Sequence, residues 1–275
     1  MQILSGCILS NILGLLLLVL TVRAAKKERV PLKTRILLVI AGCLLMPPVV
    51  ALQTVAGYVG EMPFVRNHPL FHEMFMSVLR LALIEELCKF WGTKAVAWKG
   101  AYFANSYQGL LFPTAVGLSF GIFETVLYML LAFQQFHEQF WLIVLLRAFL
   151  GAPAHGAYGV LMGIFYGRAK RAAYQHDRTD RRRCLWLALL LPTGIHGLYD
   201  WLVSSQILRF GDSSLMSILA IAADAIVILY AYHLLYRAKA KSRSGGIRLN
   251  RRERATFYGK SGRANINDGM QNGSA

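Results

Sequence analysis

Glu85, Glu86 and Lys89 form a Glu-Glu-x-x-Lys motif inside an apolar stretch, and Glu124, His155 and the pair His196 and Asp200 lie in three further apolar stretches. A charged side chain at the centre of a bilayer costs roughly 2.5–3.5 kcal/mol, so a chain carrying several must turn them inward and use them. The chemistry they offer is proton transfer. Glu85 and Lys89 share a helix face at i and i+4, and Lys89 also reaches Glu86 at i+3. Two carboxylates beside one ammonium are the ingredients of a tuned general base. His196 and Asp200 are again one turn apart, where a carboxylate can orient an imidazole and fix its tautomer. Phe120 and Glu124 repeat the spacing.

These residues need long apolar helices to hold them. The chain of 275 residues is 56% hydrophobic and only 16% charged, against about 25% charged in soluble proteins. Its mean hydropathy is +0.44. Apolar runs of the length that crosses about 30 Å of hydrocarbon recur at 2–22, 36–58, 72–92, 107–132, 141–166, 185–206 and 214–236. The expectation is an all-α, polytopic transmembrane bundle of about seven spans, with residues 1–236 as one domain. Residues 237–275, rich in Lys, Arg, Gly, Asn and Ser, are expected to form a disordered basic tail.

The formal net charge of +16 first invites a nucleic-acid reading. Its distribution removes that reading. Of the 30 Lys and Arg residues, 25 fall in 23–35, 93–106, 167–184 and 237–275, which are alternate connecting segments. The opposite connections hold only Arg66 and Arg209. By the positive-inside rule the N-terminus is outside and the C-terminus cytoplasmic, in the plasma (inner) membrane. The expected partners are membrane lipid and a membrane-anchored protein, with no nucleic acid.

The four cysteines, Cys7, Cys43, Cys88 and Cys184, have no metal or disulfide spacing. His72-Glu73 and His137-Glu138 do not complete a zinc helix of the HExxH type. Gly117-Leu118-Ser119-Phe120-Gly121 matches a nucleophile elbow in letters only, because that turn needs a strand before it. Small residues every fourth position, Gly109, Pro113, Gly117, Gly121 and Thr125 in one span and Gly151, His155, Gly159, Gly163 and Gly167 in the next, mark two close-packing ridges. His155 therefore belongs on a helix contact.

The ordered set Glu85-Glu86-Leu87-Cys88-Lys89, Phe120-Gly121-Ile122-Phe123-Glu124, His155-Gly156-Ala157-Tyr158-Gly159 and His196-Gly197-Leu198-Tyr199-Asp200 resembles the PrsW family of intramembrane proteases. That family is distantly related to the CAAX-processing and bacteriocin-processing membrane proteases. Thr125 stands where the family often has Asn after the second-motif Glu. The resemblance covers about residues 75–205. It implies hydrolysis of a peptide bond in or beside the membrane, with a membrane-anchored anti-sigma factor as the known kind of substrate.

On that basis Glu85, or its neighbour Glu86, is expected to accept a proton from water. Asp200 orients His196, and Lys89 tunes the Glu pair. His155 and His196 either bind a divalent metal or donate hydrogen bonds to the oxyanion, and Glu124 is a third metal ligand or the group that positions the water. Two imidazoles and one carboxylate suit catalytic zinc, whereas a glutamate mechanism needs only the base and the donors. A proton-coupled transporter or channel would use the same residue types, but the half-chains show no internal repeat of the kind common in transporters.

Overall fold

The computed structural model describes residues 1–100, 103, 105–205 and 214–243. Arg209 and the stretch 244–275 of the expected tail lie outside the described residues. No strand occurs among the described residues; the fold is all helix.

α1 (Gln2–Lys27) is followed by α2 (Leu32–Leu44) and α3 (Met46–Gly60), which meet at Leu45, just before Pro47 and Pro48. Short helices α4 (Pro63–Arg66) and α5 (Pro69–Met74) lead into a π-helical stretch, Phe75–Leu83, and then α6 (Ile84–Ala97). The long α7 (Ser106–Gln135) precedes α8 (Phe140–Leu150) and α9 (Ala152–Tyr174), which are separated by a kink at Gly151. α10 (Arg178–Ser204) and α11 (Ser214–Arg243) complete the bundle. α11 carries the helix through Arg237 to Arg243, seven residues into the expected tail.

Five stretches among the described residues are long and apolar enough to cross a membrane: Gln2–Lys27, Leu32–Gly60, Ser106–Gln135, His137–Tyr174 and Met216–Ala240. Two of the seven expected spans, 72–92 and 185–206, are not among the five. These two carry the Glu-Glu-Lys and His-Asp motifs, whose polar side chains dilute the apolar character of their helices. Outward surfaces are apolar: Leu15, Leu16, Val19 and Leu20 of α1 and Leu142, Leu145 and Phe149 of α8 are all exposed. That inside-out pattern suits a lipid solvent.

The α7–α9 contact is the centre of the bundle. The helices run antiparallel, with Gly109 against Gly167, Gly117 against the backbone of His155, and Gly121 against Ala152. A Cβ at Gly117 would lie 2.2 Å from the His155 carbonyl oxygen, and one at Gly163 would lie 2.5 Å from Leu110 Cα. Both neighbours are backbone and cannot yield. The start of α7 is fixed by a capping box: Asn105 accepts from the Gln108 amide, and Gln108 accepts from that of Asn105. Both side chains also donate to Glu28, tying α7 to the end of α1.

Gly117→Ala and Gly163→Ala should each lower the thermal midpoint of the detergent-solubilised chain, by a cost of about 1–3 kcal/mol for overpacking. Gly194→Ala, where no atom lies within 4 Å of the added carbon, should leave it unchanged or raise it. Equal midpoints for all three would contradict this packing.

Candidate functional site

Lys89 is almost fully buried and uses its three donors on three different acceptors. Its ammonium lies 3.3 Å from Glu85 Oε2, 2.8 Å from Glu86 Oε1 and 2.8 Å from His155 Nδ1. The ammonium also sits 4.3 Å from the centre of the Phe120 ring. Ammonium only donates, so His155 Nδ1 accepts and its hydrogen resides on Nε2. That nitrogen faces Glu124 Oε2 at 2.9 Å. Glu124 is gripped in turn by the Arg147 guanidinium, which also donates to Thr125 Oγ1 at 3.1 Å.

On the other side of Lys89, Glu86 Oε1 faces His196 Nδ1 at 3.1 Å. His196 Nε2 is 3.4 Å from Asp200 Oδ2. The residues therefore form one chain: Arg147, Glu124, His155, Lys89, Glu86, His196 and Asp200, with Glu85 branching from Lys89. It crosses α8, α7, α9, α6 and α10.

Local structure places each member. Glu85 and Glu86 open α6 directly after the π-helical stretch, a departure from α geometry frequent at functional sites. Within that stretch Arg80 donates to the Gln53 carbonyl at 3.0 Å, and the Gln53 amide donates to Glu85 Oε1 at 3.2 Å. His155 sits on the glycine ridge, and a Cβ at Gly121 would come within 2.7 Å of its Cδ2. Gly121 is needed so that the imidazole can lie against α7.

All seven residues expected from the sequence, Glu85, Glu86, Lys89, Glu124, His155, His196 and Asp200, meet in this network. Glu85, Glu124, His155, His196 and Asp200 line a cavity of about 300 Å³. Glu86 and Lys89 are not among its lining residues and stand behind it.

The carboxylate grouped with the two histidines is Glu85: Glu85, His155 and His196 each offer a ligand atom, all within 4.8 Å of one another. Glu124, the ligand expected from the resemblance, reaches His155 but is held by Arg147. The donor set of Glu85, His155 and His196 fits a divalent metal. Among the described residues, Lys89 and Arg147 are the permanent cations that pair with Glu85, Glu86 and Glu124. Both nitrogens of each imidazole already have a protein neighbour, so seating a metal requires each ring to exchange one.

Several site residues are not legible as such in the sequence. Arg147, whose position in the chain allows it to snorkel outward, instead pairs with Glu124 and covers the Tyr128 ring at 4.2 Å. Gln53 carries no signal. Tyr158 stacks on His196 with ring centres 4.7 Å apart and donates to Asp224 Oδ1 at 2.7 Å. Asp224 thus braces the plane of a site imidazole from α11; a charge in an apolar run is its only sequence signal. Ser119, the centre of the Gly117–Gly121 letters, donates to the Ala115 carbonyl at 2.7 Å and packs on Gly42, so it faces α2 and away from the cluster.

The match to the family model described as PrsW family intramembrane metalloprotease covers residues 30–231. Similar proteins include the Protease PrsW of Geobacillus kaustophilus, 31% identical over 134 residues, which are 49% of this chain and 53% of that protein. The Protease PrsW of Oceanobacillus iheyensis is 27% identical over 60% of this chain and 67% of its own. That of Bacillus subtilis is 29% identical over 48% and 55%. The chain spans about half the length of the Geobacillus and Bacillus relatives it matches. No solved structure matches.

Removing the central ammonium tests the network. Lys89→Met leaves Glu85 and Glu86 buried without their cation, a loss of about 3–5 kcal/mol. The variant should show a sharply lower thermal midpoint, partly restored by adding Glu86→Gln. An unchanged midpoint for Lys89→Met would contradict the mutual compensation described here.

Proposed function

The chain belongs to the PrsW family of intramembrane metalloproteases, and from that premise we propose that it hydrolyses a peptide bond of a membrane-anchored protein at the Glu85–His155–His196 cluster. The observation that carries this reading is the cavity. Its floor holds Glu85, His155, His196 and Asp200, while Met46, Val49, Val50, Leu127, Leu131, Leu146 and Leu150 supply apolar walls from α3, α7 and α8. Val50 and Leu131 are also exposed on the outer surface. An apolar segment lying in the membrane can therefore slide between α3 and α7 and meet polar groups without entering bulk water.

Glu85, His155 and His196 would hold a divalent metal, for which zinc has the matching ligand preference. When bound, it supplies Lewis-acid polarisation of the scissile carbonyl and activation of water.

The side chains do the remaining work. Glu124, pinned by Arg147, fixes the His155 ring, while Glu86 and Asp200 fix that of His196 from its two sides. In the metal-free form, the His196 nitrogen that faces Asp200 donates its N–H to the oxyanion that forms at the carbonyl; with a metal bound, that nitrogen would be the ligand instead. Two groups can move the proton. Glu85 Oε1, held by Gln53, takes it from water when Glu85 is free of metal. With Glu85 engaged as a ligand, Asp200 takes it and returns it to the departing amine. Asp200 suits that task because its side chain is 20% exposed to the cavity while those of Glu85 and Glu86 are 8% and 0% exposed. Glu86 and Lys89, away from the cavity, position the others.

We further propose seven crossings of the inner membrane with the C-terminus cytoplasmic, an orientation that the basic connections support. A membrane-anchored anti-sigma factor is the proposed substrate, as the resemblance to the family implies.

The test co-expresses the chain with single-span membrane proteins, anti-sigma factors included, and detects shortened fragments. His196→Ala should abolish fragments while membrane insertion persists, and retained cleavage would overturn the site. A chelator that stops cleavage, with recovery on adding zinc, selects the metal form; chelator-resistant cleavage that Asp200→Asn leaves intact assigns the proton to Glu85.

A further inference from the structure

A second cavity, of about 460 Å³, lies where the end of α9 meets the start of α10 and shares no lining residue with the first. Arg168 and Arg171 on α9 and Arg183 on α10 converge on it. The two α9 positions are three residues apart and so share a face, and α10 returns antiparallel after the short turn capped by Asp177. None of the ion pairs among the described residues involves Arg168, Arg171 or Arg183. Asp180 is the one carboxylate in the lining, and its Oδ1 accepts from Cys184 Sγ at 3.7 Å. Three guanidinium groups therefore face one carboxylate across an open cavity.

Gln175 adds a polar side chain to the lining, and one wall is apolar. Phe165, Ala172 and Leu187 line the cavity, and the Arg168 guanidinium sits 5.4 Å from the Phe165 ring centre. Trp186, beside Leu187, is 58% exposed. Exposed tryptophan next to an apolar span is typical of the headgroup level of a bilayer. A guanidinium binds phosphate oxygens through two parallel hydrogen bonds, which an ammonium cannot do. A free anion in water would have no use for the apolar wall, whereas a lipid has both a phosphate and a chain to lay along it.

We propose that this cavity binds the phosphate of an anionic lipid headgroup. Arg168, Arg171 and Arg183 hold the oxygens, and Phe165 and Leu187 take the start of the acyl region. This places a fixed lipid against the ends of α9 and α10, the two helices that supply His155 and His196. The site stands independently of the proposed proteolysis.

The experiment uses the purified full chain in neutral detergent, with lipid binding read by native mass spectrometry. The probes are phosphatidylglycerol, phosphatidylcholine and inorganic phosphate. Wild type should retain phosphatidylglycerol in preference to phosphatidylcholine. Arg171→Gln/Arg183→Gln should weaken that retention on the order of thirtyfold, following the usual contribution of two clustered basic residues. Arg181→Gln/Arg182→Gln removes the same charge from exposed positions outside the cavity and should leave retention near wild type. Equal losses in both double variants would mean a diffuse basic field and would overturn the site. So would equal retention of the two lipids, or displacement of phosphatidylglycerol by inorganic phosphate at a similar concentration, which would reassign the cavity to a free anion.

Discussion

The bundle turns on one buried ammonium. Lys89 gives its three hydrogens to Glu85, Glu86 and His155, and through them it reaches Glu124 and His196. Without that cation α6 would carry two adjacent carboxylates into a dry interior, at a cost of about 3–5 kcal/mol. With it, Glu86 holds His196 on one side while the ammonium itself holds His155 on the other. The same charge that permits the site to be buried also gives it its shape.

Close helix approach supplies the distances over which the network works. Glycines on α7 and α9 bring the two backbones together, and Gly121 leaves the space that the His155 ring occupies. A longer separation would open the Glu124–His155 contact, which is 2.9 Å. The π-helical stretch before α6 contributes in another way. It carries Arg80 to the Gln53 carbonyl, and the Gln53 side chain holds Glu85 at the edge of the cavity. From the far side, Asp224 holds Tyr158, whose ring lies flat on His196.

Much of this is legible in the amino-acid sequence. The i, i+4 spacings of Glu85 with Lys89 and His196 with Asp200, and the glycine ridge bearing His155, are local patterns that helix geometry converts into shared faces. The alternating basic connections and apolar runs point to the all-helical membrane class. Contacts between helices are not legible, since spacing along one helix says nothing about its neighbour. Arg147 reads as a snorkelling residue until its partner Glu124 is seen across the α7–α8 contact. Gln53 is a lone amide in an apolar run, and its role exists only because α3 lies beside Arg80 and Glu85. Grouping the histidines with Glu85 likewise depends on helix rotation, which sequence periodicity fixes only within a helix. The helices at 69–97 and 178–204 fall short of the apolar character of the other five for a related reason, since the site itself makes them polar.

Glu85 is common to both arrangements of the proposed chemistry, as ligand or as proton acceptor, and its negative charge is required in each. The most direct measurement is therefore cleavage of a membrane-anchored substrate by the reconstituted chain bearing Glu85→Gln. Glutamine preserves the shape and an acceptor for Gln53, so the thermal midpoint should stay close to wild type while the cleavage rate falls by at least roughly a hundredfold. A variant that cleaves at the wild-type rate would contradict the assignment of this buried cluster as the hydrolytic site.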